Sequence, residues 1–317
     1  MIKYQTLLYY CYSRIEGAEQ FATDHLQFCK SLNLVGRIIV ADEGLNGTVS
    51  GTEESCKTYM DTLHADPRFS KIDFKIDDVE EPSFIKMHCR YKSEIVHSGL
   101  RDPSIINPEI KTGIHLEPQD FVNMKDDEDV VVVDVRSNYE HSIGRFKNAI
   151  TFDIDNFRDF PQQINELAQY KNKKIVTYCT GGIKCEKASA LLLHAGFENV
   201  YQLHGGIIKY GKEAGGEDFE GKCYVFDNRV AVDVNSVNPK VISTCRNCSS
   251  HTTKMINCAN PECNEHFTQC DACGEQLDGA CSAVCQAHPR KRVYDGTGYY
   301  VKVPQPINTE KLKAIKA

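Results

Sequence analysis

The stretch KKIVTYCTGGIKCEKASALLLHAGF, residues 173–197, decides the fold. KKIVTYC is an apolar run of the length expected for a buried strand. CEKASALLLHAGF follows with helix-forming residues, so the reading is strand, tight loop, helix, with the helix beginning near Cys185 or Glu186. Cys179 therefore ends a strand, and Gly181 and Gly182 let the loop turn without a Cβ obstructing its amides. In open α/β sheets ligands bind at the carboxyl ends of strands. There the loop amides and the positive end of the following helix converge and favour negative charge. A cysteine at that point is expected to be a thiolate near neutral pH, and Lys184 adds a positive charge.

Working outward, VVVVDV (130–135) and VYQLHGG (200–206) read as two more buried strands, with NFRDFPQQINELAQY and CEKASALLLHAGF as helices between strands. This alternation predicts an α/β domain with a parallel sheet over 118–222. Residues 1–97 have another rhythm. YQTLLYYCY is strand-like, and AEQFATDHLQFCKSL places Phe21, His25, Phe28 and Leu32 at helical spacing. GRIIVADEGLNGTVSG reads as two strands turning at Asn46-Gly47. A helix (ESCKTYMDTLHA) and the strands KIDFKI and FIKMHCRYKSEIV complete a βαββαβ order, which predicts a ferredoxin-like α+β domain. Residues 98–117, with two Pro-containing turns and little periodicity, read as a linker.

Of the 15 cysteines, eight (Cys245, Cys248, Cys258, Cys263, Cys270, Cys273, Cys281 and Cys285) fall within 41 residues of the last segment, 223–317, which has few apolar runs. The first residues, MIKYQTLLYYCYSR, lack the basic start and apolar core of about 7–15 residues of a secretory signal. No run approaches the roughly 20 apolar residues of a membrane span. The expected location is therefore the cytoplasm, where cysteines serve catalysis or metal binding more often than disulfides. CRNC, INCANPEC, CDAC and CSAVC are short knuckles that set two sulfurs on one side of a turn, as tetrahedral zinc requires. Eight thiols suffice for two structural zinc sites, with His251, His266 and His288 as substitutes. Metal would supply folding energy that the sparse apolar residues cannot.

The net charge of −7 argues against a polyanionic partner, but it is unevenly spread. From Gln286 to Ala317, seven Lys/Arg face two acids, a local balance of +5. AHPRKRVYDGTGYYVK mixes those cations with Tyr294, Tyr299 and Tyr300, a composition suited to RNA backbone and bases.

Two chemistries use a cysteine loop of this kind. A phosphatase needs an arginine at the sixth position after the nucleophile to grip phosphate, but that position is Cys185. The loop suits a smaller group on sulfur, such as a persulfide. VVVVDVRSNYEHSIGRFKNAITF with KIVTYCTGGIKCEKASALLLHAGFENVYQLHGGI resembles a rhodanese domain. That resemblance implies a structural role for Asp134 and Arg136, a persulfide-forming role for Cys179, and Gly205-Gly206 as the closing glycines. The chain departs from the usual pattern at Gly144-Arg145-Phe146, Lys184 and Cys185.

RIIVADEGLNGTVSG, CTGGIKCEKASA, INCANPECN and CQAHPRKR, in this order, resemble the bacterial tRNA uridine hydroxylase family over nearly the whole chain. The resemblance implies an oxidoreductase of tRNA processing that converts wobble uridine (position 34) to 5-hydroxyuridine with molecular oxygen as co-substrate. Cys179 would be catalytic, with Thr180, Gly181, Gly182, Ile183, Lys184 and Cys185 as its loop. Arg37, Lys86, Arg90, Arg290, Lys291 and Arg292 are the expected tRNA contacts.

Cys179 could add to C6 of the uracil, or a persulfide or sulfenate on Cys179 could be the oxidised intermediate, resolved by Cys185. The oxygen-activating cofactor is not legible. His64-Ala65-Asp66 and His115-Leu116-Glu117 are commonplace pairs, and no dinucleotide fingerprint is present. The alternatives are a sulfurtransferase passing persulfide sulfur from Cys179 to an acceptor, and a zinc-bearing adaptor with an inert rhodanese fold.

Overall fold

The computed structural model describes residues 3–298 except 101, 103 and 104. The chain forms two compact units, dividing between Ser243 and Thr244.

The first unit begins with β1 (Tyr4–Tyr12), α1 (Ala18–Ser31), β2 (Val35–Ala41), β3 (Gly44–Thr52), α2 (Glu53–Ala65), β4 (Lys75–Val79) and β5 (Met87–Tyr91). Sheet order is β4-β1-β3-β2-β5, the split βαβ arrangement of a ferredoxin-like sandwich with an added edge strand parallel to β2. Leu7, Tyr9, Ile38, Val40, Leu45 and Val49 alternate onto the face that α1 and α2 cover through Ala22, Cys29, Cys56 and Tyr59. The strand period of two puts Leu8, Tyr10, Arg37, Ile39, Asn46 and Thr48 on the opposite, helix-free face, and the pairings Leu8–Thr48, Tyr10–Asn46 and Arg37–Thr48 keep them together.

The hairpin differs from the sequence expectation. It turns at Asp42-Glu43, closed by the Ala41–Gly44 pair, while Asn46 and Gly47 lie inside β3. Gly47 is small for another reason. A Cβ there would come within 2.3 Å of the Tyr9 hydroxyl.

The α/β part follows: β6 (Ile114–Leu116), α3 (Pro118–Met124), β7 (Val130–Asp134), α4 (Asn138–Ile143), β8 (Gly144–Phe146), β9 (Lys174–Tyr178), α5 (Ile183–His194), β10 (Val200–Leu203), α6 (Gly206–Ala214), β11 (Phe219–Gly221), β12 (Cys223–Tyr224) and β13 (Ala231–Val232). The parallel sheet has order β6-β10-β9-β7. α5 and the stretch Phe157–Tyr170 pack on one face, α3 and α6 on the other. Phe157–Tyr170 is a 3-10 helix rather than an α-helix, with Pro161, which lacks an N–H, inside it.

Two boundaries also differ. The expected linker contains β6, which pairs with β10, and Ile106, which is buried in the sheet's core. A three-residue strand with an exposed Ile114 offers no period to read. Residues 223–243 belong to the first unit, because Cys223, Val225 and Val234 are buried beside α6 and β11.

The second unit holds a hairpin of β14 (Met255–Asn257) and β15 (His266–Thr268), with α7 (Asp271–Gln276) and α8 (Ala283–Gln286). Its apolar core is small, built on Ile256, Cys258, Ala259, Phe267, Ala280 and Cys285.

Candidate active site

Cys179 follows β9 directly, and α5 starts at Ile183 with Gly182 capping it at φ +99°. The amides of Ile207 and Ile208, at the start of α6, donate to the carbonyls of Cys179 (3.0 Å) and Thr180 (3.1 Å). This turns the loop's acceptors toward α6. Only glycine fits at 206: its φ is +64°, and a Cβ would lie 2.4 Å from the Cys179 carbonyl oxygen. The closing Gly205-Gly206 thus shapes the loop from outside.

Cys179 is 1% exposed, at the floor of a cleft of about 700 Å³. Burial alone would push its pKa up. Against this act the Cys185 thiol, the charge of Lys184 and the amides of Lys184 and Cys185, and the net result is a thiol lowered to about 7. The Gly182 amide also donates to the sulfur at 3.2 Å. Burial and the neighbouring Cys179 push Cys185 the other way, well up. The two shifts favour Cys179 as the sulfur that ionises first, with the Cys185 thiol as its donor. Of the expected Thr180 to Lys184 amides, Gly182 donates to the sulfur, while the Cys185 amide donates to the Gly182 carbonyl at 3.0 Å.

Lys184 is held 2.5 Å from Glu140, which also closes the capping box of α4. Arg136 is wholly buried, bound twice by Asp134 (2.9 and 2.7 Å) and donating to the Gly144 carbonyl; the Tyr178 hydroxyl donates to Asp134 at 2.6 Å. This cluster joins β7, β8 and β9 beneath the loop.

Glu186 and Lys187 escaped the sequence reading. Glu186 accepts from Tyr10 (2.9 Å), Gln202 (3.0 Å) and Thr112 (2.9 Å), with His115 Nε2 at 2.9 Å. Lys187, 2% exposed, binds Glu43, Glu94 and the Val96 carbonyl. Together they fasten the helix behind the cysteine loop to the N-terminal sheet. The signal was present: α5 is buried from Cys185 to Leu192, and a charged pair within a helix buried all round must be partnered.

The cleft is walled by that sheet's helix-free face (Leu8, Tyr10, Arg37, Ile39, Asn46, Thr48) and by Tyr139, Arg158, Lys184 and Phe226. Of the expected tRNA contacts, Arg37, Lys86 and Arg90 are exposed near one another, close enough to depress the His88 pKa after burial has done so. Arg290, Lys291 and Arg292 lie in the second unit. There they bind Glu262, Asp278 and the carbonyls of Cys258 and Ala259. Tyr294 hydrogen-bonds Lys254, while Tyr299 and Tyr300 lie outside the described residues.

His64 is bonded to the Ile72 carbonyl, and the Lys209 ammonium lies 2.7 Å from Glu117 and 3.2 Å from His204 Nδ1.

In the second unit the eight thiols sort into two groups, Cys245/Cys248/Cys270/Cys273 and Cys258/Cys263/Cys281/Cys285, with sulfurs in each within 4.8 Å of one another. The Cys248–Cys270 sulfurs are 3.6 Å apart and Cys263–Cys281 3.9 Å. Tetrahedral zinc with Zn–S of about 2.3 Å demands roughly 3.8 Å between sulfurs, so the donors fit. The groups interleave along the chain, first pair with third and second with fourth. His251, His266 and His288 stand outside both groups.

Residues 4–95 match the family model described as UPF0176 acylphosphatase like domain, residues 117–213 the Rhodanese-like domain, and residues 220–286 Rhodanase C-terminal. A protein from Cytophaga hutchinsonii named tRNA uridine(34) hydroxylase is 61% identical over 302 residues, covering 95% of this chain and 96% of its own. Proteins of the same name from Enterococcus faecalis (49% identical, 92% of each chain) and Streptococcus thermophilus (48%, covering 91% of this chain and 90% of its own) match as fully. On that identity, sustained from the ferredoxin-like domain through the cysteine groups, the chain belongs to the tRNA uridine(34) hydroxylase family.

Proposed function

We propose that this protein is an oxidoreductase that hydroxylates C5 of uridine 34 in tRNA, with Cys179 as the reacting group. The observation that carries the reading is a thiol lowered to about 7 at the floor of a cleft large enough for a nucleotide. C5 of uracil is a weak nucleophile. Addition of the thiolate to C6 forms a C–S bond and moves the C5=C6 pair toward O4, making C5 electron-rich. The C5 electron pair then attacks the outer oxygen of a hydroperoxide, which forms from molecular oxygen and a two-electron reductant. The O–O bond breaks, C5 keeps the hydroxyl and the other oxygen leaves as hydroxide or alkoxide. Loss of the C5 proton restores the double bond and expels the thiolate. The amides of Gly182, Lys184 and Cys185 stabilise the sulfur before addition and after release.

The contacts favoured for tRNA are Arg37, Lys86 and Arg90. Arg290, Lys291 and Arg292 serve first as ties within the cysteine-rich unit. In that unit each four-thiolate group holds one structural zinc ion, which supplies folding energy to a small core. No helix among the described residues is long and apolar enough to cross a membrane. A cytoplasmic place, beside tRNA, follows from the substrate.

The test is nucleoside analysis of tRNA from cells that lack this protein. 5-Hydroxyuridine-derived nucleosides should fall and return with the wild-type gene. Loss of a thiolated nucleoside instead would favour sulfur transfer.

A further inference from the structure

The cleft above Cys179 has an aromatic side for which the thiol chemistry gives no use. Phe226 lies between β12 and β13 and is 46% exposed; every other phenylalanine among the described residues is buried or half-buried. The exposed Phe226 ring lines the cleft that holds Cys179. The ring is nevertheless held firmly. Tyr224 packs edge-on against it at 5.1 Å, Tyr139 packs on Tyr224 at 5.1 Å, and the Lys184 ammonium lies 5.4 Å from its centre. The Thr180 hydroxyl donates to the Tyr224 carbonyl at 3.2 Å, so the aromatic turn is tied to the cysteine loop itself.

Besides Lys184, which is paired with Glu140, three cations share the cleft. Arg37, Lys92 and Arg158 are exposed and make no ion pair among the described residues. Elsewhere in this unit, cations such as Lys75, Lys187, Lys209, Lys212 and Arg229 are neutralised by carboxylates. A cysteine that is 1% exposed cannot reach a base inside a stack, so a nucleotide must be turned out toward it. An extruded base needs a flat apolar surface in place of its stacking neighbours, and its flanking phosphates need cations.

Resting on the hydroxylase reading, we propose that Phe226, braced by Tyr224 and Tyr139, is the platform on which the extruded uracil stacks. Arg37, Lys92 and Arg158 hold the phosphates on either side, and the C5–C6 edge of the ring meets Cys179.

The probe is an anticodon stem-loop RNA with the fluorescent pyrimidine pyrrolocytidine at position 34, titrated with full-length protein. Wild type should quench it. Phe226→Ala should bind without quenching and, in complemented cells, hydroxylate about tenfold less or worse, while Phe226→Trp restores both. The triple variant Arg37→Ala/Lys92→Ala/Arg158→Ala should bind more weakly with a shallower salt dependence, yet still quench at saturation. Quenching and turnover of Phe226→Ala equal to wild type would overturn the platform, as would full rescue by Phe226→Leu. If wild type restores no 5-hydroxyuridine in cells, the hydroxylase reading fails. Quenching that still depends on Phe226 would then keep the platform standing.

Discussion

The ammonium of Lys187 lies 2.8 Å from Glu43 and 2.8 Å from Glu94, so the helix that leaves the cysteine loop is clamped by two carboxylates of the N-terminal domain. Removing one partner of a buried ionic group costs about 3–5 kcal/mol, because the other charge stays behind unpaired. Lys187→Met should therefore lower the thermal midpoint markedly by calorimetry. Adding Glu94→Leu, which removes the more deeply buried of the two orphaned carboxylates, should recover much of the loss. A Lys187→Met protein as stable as wild type would show that the clamp contributes nothing.

Acid sensitivity follows from the same groups. Burial would raise the pKa of Glu94 and of Glu186. Lys187 and Ser98 for Glu94, and His115, Gln202 and Tyr10 for Glu186, outweigh it and leave both lowered. A carboxylate depressed in the folded state contributes stability that is present above its unfolded value, about 4.3, and lost as pH falls through the lower folded value. His115 is raised, chiefly by Glu186, so its contribution is present below about 6.5 and lost as pH rises through the folded value. Urea midpoints from pH 3 to 8 should fall steeply at the acid end in wild type. The slope should be flatter in a Lys187→Met/Glu94→Leu variant.

The thiol makes a separate prediction. Peptide-resolved alkylation of Cys179 against pH should show half-maximal rate near about 7, where an ordinary cysteine titrates at about 8.5. Lys184→Met removes the loop's cation and should move that midpoint upward. Cys185→Ser keeps a donor beside the sulfur and should move it less. A wild-type midpoint at the ordinary value would contradict the proposed anion.

Zinc analysis should give two ions per chain. Cys270→Ser should lose the ion of the Cys245 group, and Cys263→Ser that of the Cys258 group. Because the two groups alternate along the chain, each loss should also weaken the other site, read as earlier zinc release to a chelator. Protein purified without zinc yet stably folded would remove the structural role.

The parallel sheet and its loop were legible because VVVVDV and KIVTYC are continuous apolar runs and Gly181-Gly182 mark the turn between strand and helix. β6 was not, since a strand of three residues with one side exposed has no period. Asn46-Gly47 misled as a turn because the glycine answers to the Tyr9 hydroxyl across the sheet, a contact with no trace along the chain. Cys179 and the eight knuckle cysteines stood out by spacing, whereas the pairing of first knuckle with third needed three dimensions. The cleft's other wall was hidden for the same reason. Tyr10 and Arg37 share one face of the first sheet, and Phe226, far from both in sequence, joins them only in the cleft.

The most direct measurement concerns the sulfur. In cells lacking this protein, complementation with wild type should restore 5-hydroxyuridine-derived nucleosides in tRNA, and Cys179→Ser, expressed to the same level, should restore none. Full restoration by Cys179→Ser would contradict thiolate catalysis in this cleft.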